Sequence, residues 1–166
     1  MRRIEILGRI ASSLRYRSRR TFLKGGLAWV AALPFFPALA ESARSSPISQ
    51  PKTPSHQAFM KQALEMRTQA LDAGDQGYGA VVVKNEKIVG LGPSRVIVNH
   101  DPTAHAEIEA IRDASRRLAT RNLSGCTLYA TFTPCLMCQT AAYWGNVDKV
   151  IVGEGLKDVG KPEYGC

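Results

Sequence analysis

The chain has 166 residues, with 22 Lys and Arg against 14 Asp and Glu, a net charge of +8 that would suit a phosphate-rich partner. That charge is uneven, because residues 1–40 hold eight of the basic residues and one acidic residue; they carry +7 and leave +1 for residues 41–166. A near-neutral remainder lacks the basic surface of a polynucleotide-binding domain, and its length fits one small domain.

Residues 1–40 have the pattern of an export signal. The segment 18–24 (Ser-Arg-Arg-Thr-Phe-Leu-Lys) closely resembles the twin-arginine motif, an apolar stretch follows, and Ala38-Leu39-Ala40 offers a cleavage site. The pattern predicts a cleaved signal peptide and a periplasmic protein without stable membrane insertion. A membrane-tethered form with an uncleaved signal is the alternative, although the apolar stretch is short and contains Pro34 and Pro37.

Helical and strand-like patterns alternate after a polar, proline-rich segment, residues 41–55, that is typical of a linker. Residues 56–166 then form the predicted folded domain. The predicted elements are a helix at His56–Ala73, strands at Gly79–Lys84 and Lys87–Leu91, a helix from a Thr103 cap to Ala119, a strand at Cys126–Thr131, a helix from Pro134 to about Trp144 and a strand at Lys149–Gly153. This alternation predicts a sheet layered between helices.

Two short motifs carry the chemistry: His105-Ala106-Glu107, and Cys135 with Cys138 behind a proline. Zinc favours imidazole nitrogen and thiolate sulfur, and a catalytic zinc keeps its fourth position for water. His105, Cys135 and Cys138 supply three such ligands, and Glu107 supplies a carboxylate beside them. The alternative is a structural zinc knuckle, which would want a fourth Cys or His nearby.

These motifs and their surroundings resemble the cytidine/nucleobase deaminase superfamily, for which H-x-E…P-C-x-x-C is a known signature. The segment 101–108 (Asp-Pro-Thr-Ala-His-Ala-Glu-Ile) looks like the motif shared by bacterial guanine deaminases and tRNA adenosine deaminases, and 79–83 and 126–131 resemble strands of the same superfamily. The resemblance implies an α/β fold with a three-layer cytidine-deaminase-like sheet between helices, short at the C-terminus. It also implies a homodimer.

Applied to this chain, the resemblance implies a zinc-dependent hydrolytic deaminase. His105, Cys135 and Cys138 would hold Zn²⁺, which would activate a water, and Glu107 would move protons between that water and the substrate. A free nucleobase or nucleoside, guanine-like by resemblance, is the expected substrate. A tRNA-type adenosine deaminase and a noncatalytic zinc-binding module are the alternatives.

The same resemblance suggests the substrate-binding residues. Tyr78 and Trp144 would be the stacking walls of a base pocket, with ordinary core or interface packing as the other interpretation of Trp144. Ala106 is assigned to the substrate site. Ser94 stands where family members usually carry an Asn that holds the base, so one hydroxyl replaces an amide edge. Cys126 either pairs with Cys166 or is a small buried apolar residue.

Overall fold

Three helices and five strands alternate along residues 46–164, the part of the chain that the computed structural model describes. They are α1 (His56–Asp72), β1 (Gly79–Lys84), β2 (Lys87–Pro93), α2 (Ala106–Leu118), β3 (Cys126–Ala130), α3 (Leu136–Trp144), β4 (Lys149–Val152) and β5 (Lys157–Gly160). The predicted signal peptide, the start of the predicted linker and Cys166 lie outside the described residues. None of the helices in residues 46–164 combines the length and the hydropathy that a membrane-spanning segment needs.

The strands form one mixed sheet in the order β2-β1-β3-β4-β5. β3 and β4 run parallel, and the other neighbouring pairs run antiparallel. Helix α1 packs on one face of the sheet, while α2 and α3 pack on the other. The predicted three-layer α/β fold is therefore confirmed.

Strand β1 is buried on both faces, which explains its nearly continuous apolar sequence. Because side chains alternate across a strand, Ala80 and Val82 join the core under α2, and Val81 and Val83 join the core under α1. The strand therefore anchors both helical layers at once.

Helix α2 lies unusually close to β2, since two glycines of the strand face the helix backbone. A Cβ built on Gly90 or Gly92 would collide with backbone atoms of Ala110 or Ala106. The helix in turn presents small side chains to the sheet, Ala106, Ala110 and Ala114, all fully buried. This close approach fixes the start of α2, where His105 and Glu107 of the metal motif (His105, Glu107, Cys135 and Cys138) lie.

The two helices that carry the metal motif begin later than predicted. Thr103 does not cap α2; its N–H and hydroxyl donate to Asp101 Oδ1 at 2.8 and 2.7 Å, and His105 is the N-cap residue. Likewise Cys135 is the N-cap of α3, so Pro134 lies before the helix instead of at its first position. In both places the local turn, which periodicity does not report, decides the first helical residue.

Strand β5 was not predicted, and its burial explains why. All four of its residues are exposed, so it shows no apolar alternation. It is held to β4 by backbone pairing and by an ion pair between Lys149 and Asp158 at 2.9 Å. Edge strands of this kind carry little sequence signal.

Substituting Gly92 by Ala should destabilise the domain by about 1–3 kcal/mol, because the added methyl group must push α2 away from the sheet. Gly155→Ala is the matched control, since a Cβ there meets no atom within 4 Å. Urea unfolding of the two variants measures the difference. Equal midpoints for the variants would show that the α2–β2 contact is not tight.

Candidate metal centre and catalytic cleft

The metal motif is assembled at the starts of α2 and α3. His105 and Cys135 are the N-cap residues, both with extended backbone, and neither side chain makes a capping hydrogen bond to its own helix. Cys138 lies three residues after Cys135, on the same face of the first turn of α3. The three side chains are therefore free to turn towards one another.

The three candidate ligand atoms form a triangle that fits zinc. Cys135 Sγ and Cys138 Sγ are 3.6 Å apart, and His105 Nδ1 lies 3.8 Å from the first and 3.6 Å from the second. Zinc bonds of about 2.3 Å to sulfur and about 2.0 Å to nitrogen, in a tetrahedron, require about 3.8 Å between sulfurs and about 3.5 Å between nitrogen and sulfur. The residues present therefore fit the ion in kind and in spacing.

A structural four-ligand site is not favoured. Across residues 46–164, the group of possible ligand atoms within 4.8 Å of one another consists of His105, Cys135 and Cys138. His56 is used elsewhere, because its Nδ1 lies 2.6 Å from the Tyr129 hydroxyl. Three ligands with one exposed member, Cys135, match a catalytic zinc with an accessible fourth position.

Glu107 lies beside the triangle and is buried, with 8% of the residue's surface exposed. Its Oε2 is 3.6 Å from Cys138 Sγ. Burial raises the pKa of Glu107, and burial together with the neighbouring carboxylate raises the pKa of the Cys138 thiol. Two buried acidic groups in contact repel each other when both are ionised, and a bound divalent cation would offset that repulsion.

The motif opens into a cleft of about 680 Å³, which is within the usual range for small-molecule sites. His105, Ala106, Glu107 and Cys135 line it on the metal side. The Glu107 carboxyl group and two of the candidate metal ligands, His105 and Cys135, are therefore accessible from one cavity.

Aromatic and polar side chains complete the cleft. The rings of Tyr78 and Phe132 lie 6.1 Å apart at 56°, and both line the cavity. Arg67 and Gln76 add polar groups, and Arg67 Nε donates to the Gly77 carbonyl at 3.1 Å. Flat apolar rings beside hydrogen-bonding groups are typical of a site for a planar heterocycle.

The structure brings together only part of the predicted substrate set. Tyr78 and Ala106 line the cleft, as expected of substrate contacts. Ser94 is buried, and its hydroxyl donates to Asp75 Oδ1 at 2.8 Å. Trp144 is 60% exposed and contacts Tyr143 and Tyr164, with ring centroids 5.6 Å apart in each case, rather than lining the cleft.

Phe132, Arg67 and Gln76 were missed by sequence reasoning. The signal for Phe132 was its position after the carboxyl end of β3, between a predicted strand and the Pro-Cys motif. Arg67 had no comparable signal, because it reads as one more exposed charge on α1.

Residues 53–154 match the family described as the cytidine and deoxycytidylate deaminase zinc-binding region, and the chain belongs to that family. It is 43% identical over 93 residues to a tRNA-specific adenosine deaminase of Aquifex aeolicus, covering 56% of this chain and 62% of the relative. It is 42% identical over 93 residues to a guanine deaminase of Bacillus subtilis, covering 55% and 60%. The chain thus spans about three fifths of the length of these relatives.

Solved structures agree with the fold. The crystal structure of guanine deaminase from Bacillus subtilis aligns with a TM-score of 0.58 and 38% identity, over 60% of this chain and 64% of that one. A mutant protein solved in complex with 8-azaguanine aligns with a TM-score of 0.57 and 28% identity, over 59% and 57%. Family membership supports the prediction of a zinc site at His105, Cys135 and Cys138.

We expect about one zinc per chain in protein purified without added metal, and we expect Cys138→Ser to lose most of it. Cys126→Ser is the matched control, because Cys126 is also a buried thiol but belongs to the core under α2. Because protons compete for the thiolates and imidazole, zinc should be released as the pH falls. Metal analysis after dialysis measures all three, and full zinc retention by the Cys138 variant would contradict the site.

Proposed function

We propose that the protein is a zinc-dependent hydrolytic deaminase that acts on a free nucleobase or nucleoside and releases ammonia. The observation that carries the proposal is the His105, Cys135 and Cys138 triangle with Glu107 beside it in one cleft. Membership of the zinc-binding deaminase family supports the same reaction class. When bound, zinc would lower the pKa of a water molecule towards neutrality.

Different residues of the cleft then have different roles in the proposed reaction. Glu107 Oε takes one proton from the attacking water and passes it to the ring nitrogen, and it then carries the second proton of that water from the new hydroxyl group to the departing amine. Its burial, which raises its pKa, brings the carboxyl group closer to the working pH and favours both halves of that transfer. Tyr78 and Phe132 hold the planar base in the cleft. The amine is replaced by a carbonyl oxygen from water, and ammonia leaves.

A free base or nucleoside is favoured over tRNA by charge. Residues 41–166 carry a net charge of only +1. Such a domain can neutralise few phosphates, so nucleic acid is not the expected partner. A tRNA is still included among the test substrates, because the chain is almost equally identical to the tRNA-specific adenosine deaminase and to the guanine deaminase. A noncatalytic module is disfavoured by the intact set of ligands and acid.

Ammonia release by the zinc-loaded protein tests the proposal. The substrates are guanine, adenine, cytosine, their nucleosides and a tRNA, and we expect release from a base or nucleoside. Glu107→Gln should keep zinc and lose about 100-fold or more in kcat, because the proton carrier is gone. Glu109→Gln is the control, since Glu109 is on the same helix but pairs with Arg112 at 2.7 Å.

The outcomes separate the three functions. Release only from tRNA would replace the proposal by the tRNA-type alternative. No release from any substrate by a fully zinc-loaded protein would favour the noncatalytic module. A fully active Glu107→Gln variant would remove Glu107 from the mechanism.

We further propose that the protein is exported to the periplasm by the twin-arginine route, with residues 1–40 as a cleaved signal and 41–55 as a linker. A membrane-tethered form with the signal uncut remains the alternative.

We also propose a homodimer, supported by the exposed aromatic rings of Tyr143, Trp144 and Tyr164.

Replacing Arg19 and Arg20 together by Lys should retain the uncut protein in the cytoplasm, because the translocase reads this pair. Replacing Arg2 and Arg3 by Lys is the control, since these lie outside the motif and the charge is unchanged. Immunoblots of cell fractions measure the result. Equal periplasmic recovery of the two variants would refute the assignment.

A further inference from the structure

Asp75 is a buried carboxylate outside the metal motif, in the turn between α1 and β1. Its Oδ1 accepts hydrogen bonds from Gln76 N at 2.7 Å and Ser94 Oγ at 2.8 Å. Its Oδ2 accepts from Ile97 N and Val98 N, each at 2.9 Å. One side chain therefore binds two segments that are about twenty residues apart in sequence.

Both segments lead into the cleft. Asp75 is followed directly by Gln76, Gly77 and Tyr78, which line it. Ser94 N also donates to the Tyr78 carbonyl at 3.1 Å, which adds a second link between the segments.

The other segment runs from Ser94 to His105, a candidate zinc ligand. Within it, Arg95 N donates to the Ala104 carbonyl at 3.0 Å, directly before His105. The Asp75 contacts thus connect the Tyr78 side of the cleft with the segment that leads to His105.

We propose that Asp75 is a positioning residue, which sets the Tyr78 side of the cleft at a fixed distance from His105 and Glu107. The proposal rests on the proposed deaminase function, since a fixed distance matters for a substrate that touches both sides. It also accounts for the placement of Ser94, whose hydroxyl serves this network. Burial raises the pKa of Asp75, but the four hydrogen bonds outweigh that effect, so the pKa lies below its usual value and the group stays ionised.

Asp113 offers a matched control within the same domain. It is equally buried, accepts a hydrogen bond from Leu91 N at 3.0 Å and pairs with Arg117 at 2.7 Å. It does not line the cleft. Replacing either aspartate by asparagine removes a buried charge and places an amide group against donors, so both variants should lose stability.

The experiment compares KM, kcat and zinc content of the Asp75→Asn and Asp113→Asn variants, with the best substrate of the wild-type enzyme. We expect Asp75→Asn to raise KM about tenfold or more, and Asp113→Asn to change it by less than about twofold, although both unfold at lower urea. Zinc content should be unchanged in both. Equal KM changes in the two variants, or none in Asp75→Asn, would overturn the proposal.

Amide hydrogen exchange gives a readout that does not depend on activity. Asp75→Asn should speed exchange in residues 76–78 and 94–104, whereas Asp113→Asn should speed it around residues 88–92. If the wild-type protein releases no ammonia but this exchange pattern is seen, the proposed function fails and the structural link remains. If exchange in both Asp75 segments is unchanged, the link itself is wrong.

Discussion

The contact between α2 and β2 determines where the proposed chemistry takes place. Two glycines allow the helix backbone to lie against the strand, and a row of alanines fills the remaining space. A helix held this closely cannot slide or rotate without steric overlap, so its first residues are fixed relative to the sheet. His105 and Glu107 are at this end of α2 and are therefore fixed with it. The start of α3 places Cys135 and Cys138 beside His105. The position of the candidate metal ligands therefore depends on how α2 packs against the sheet.

The candidate zinc ligands Cys135 and Cys138 could be predicted from sequence because their geometry is local. Two cysteines three residues apart share a face wherever a helix begins, and the residue types match one metal. Strands β1 to β4 and helices α1 and α2 were also predictable: buried residues recur with a regular period in α1, α2 and β2, and β1, β3 and β4 are short runs of mostly buried residues. Strand β5 could not be found this way, because its residues are exposed and are held in place by backbone pairing and by the Lys149–Asp158 ion pair.

The substrate side was less predictable, because its members meet only in three dimensions. Trp144 looks like a stacking residue in sequence, yet it lies in an exposed cluster with Tyr143 and Tyr164. Phe132, which has no periodic pattern around it, lines the cleft beside Tyr78. A side chain at a strand end is directed by the twist of the sheet and by the loop that follows, and neither can be read from residue spacing.

Zinc also bears on the proposed export, because the periplasm is oxidising. Cys135 is exposed and its sulfur lies 3.6 Å from that of Cys138, so the two metal-free thiols are close enough to be oxidised together after a small movement. Cys126 is buried in the core and is protected by burial alone. A route that carries folded proteins would let the metal bind before the thiols meet an oxidant. Of the export routes available, the proposed one is therefore the route that suits the chemistry of this site.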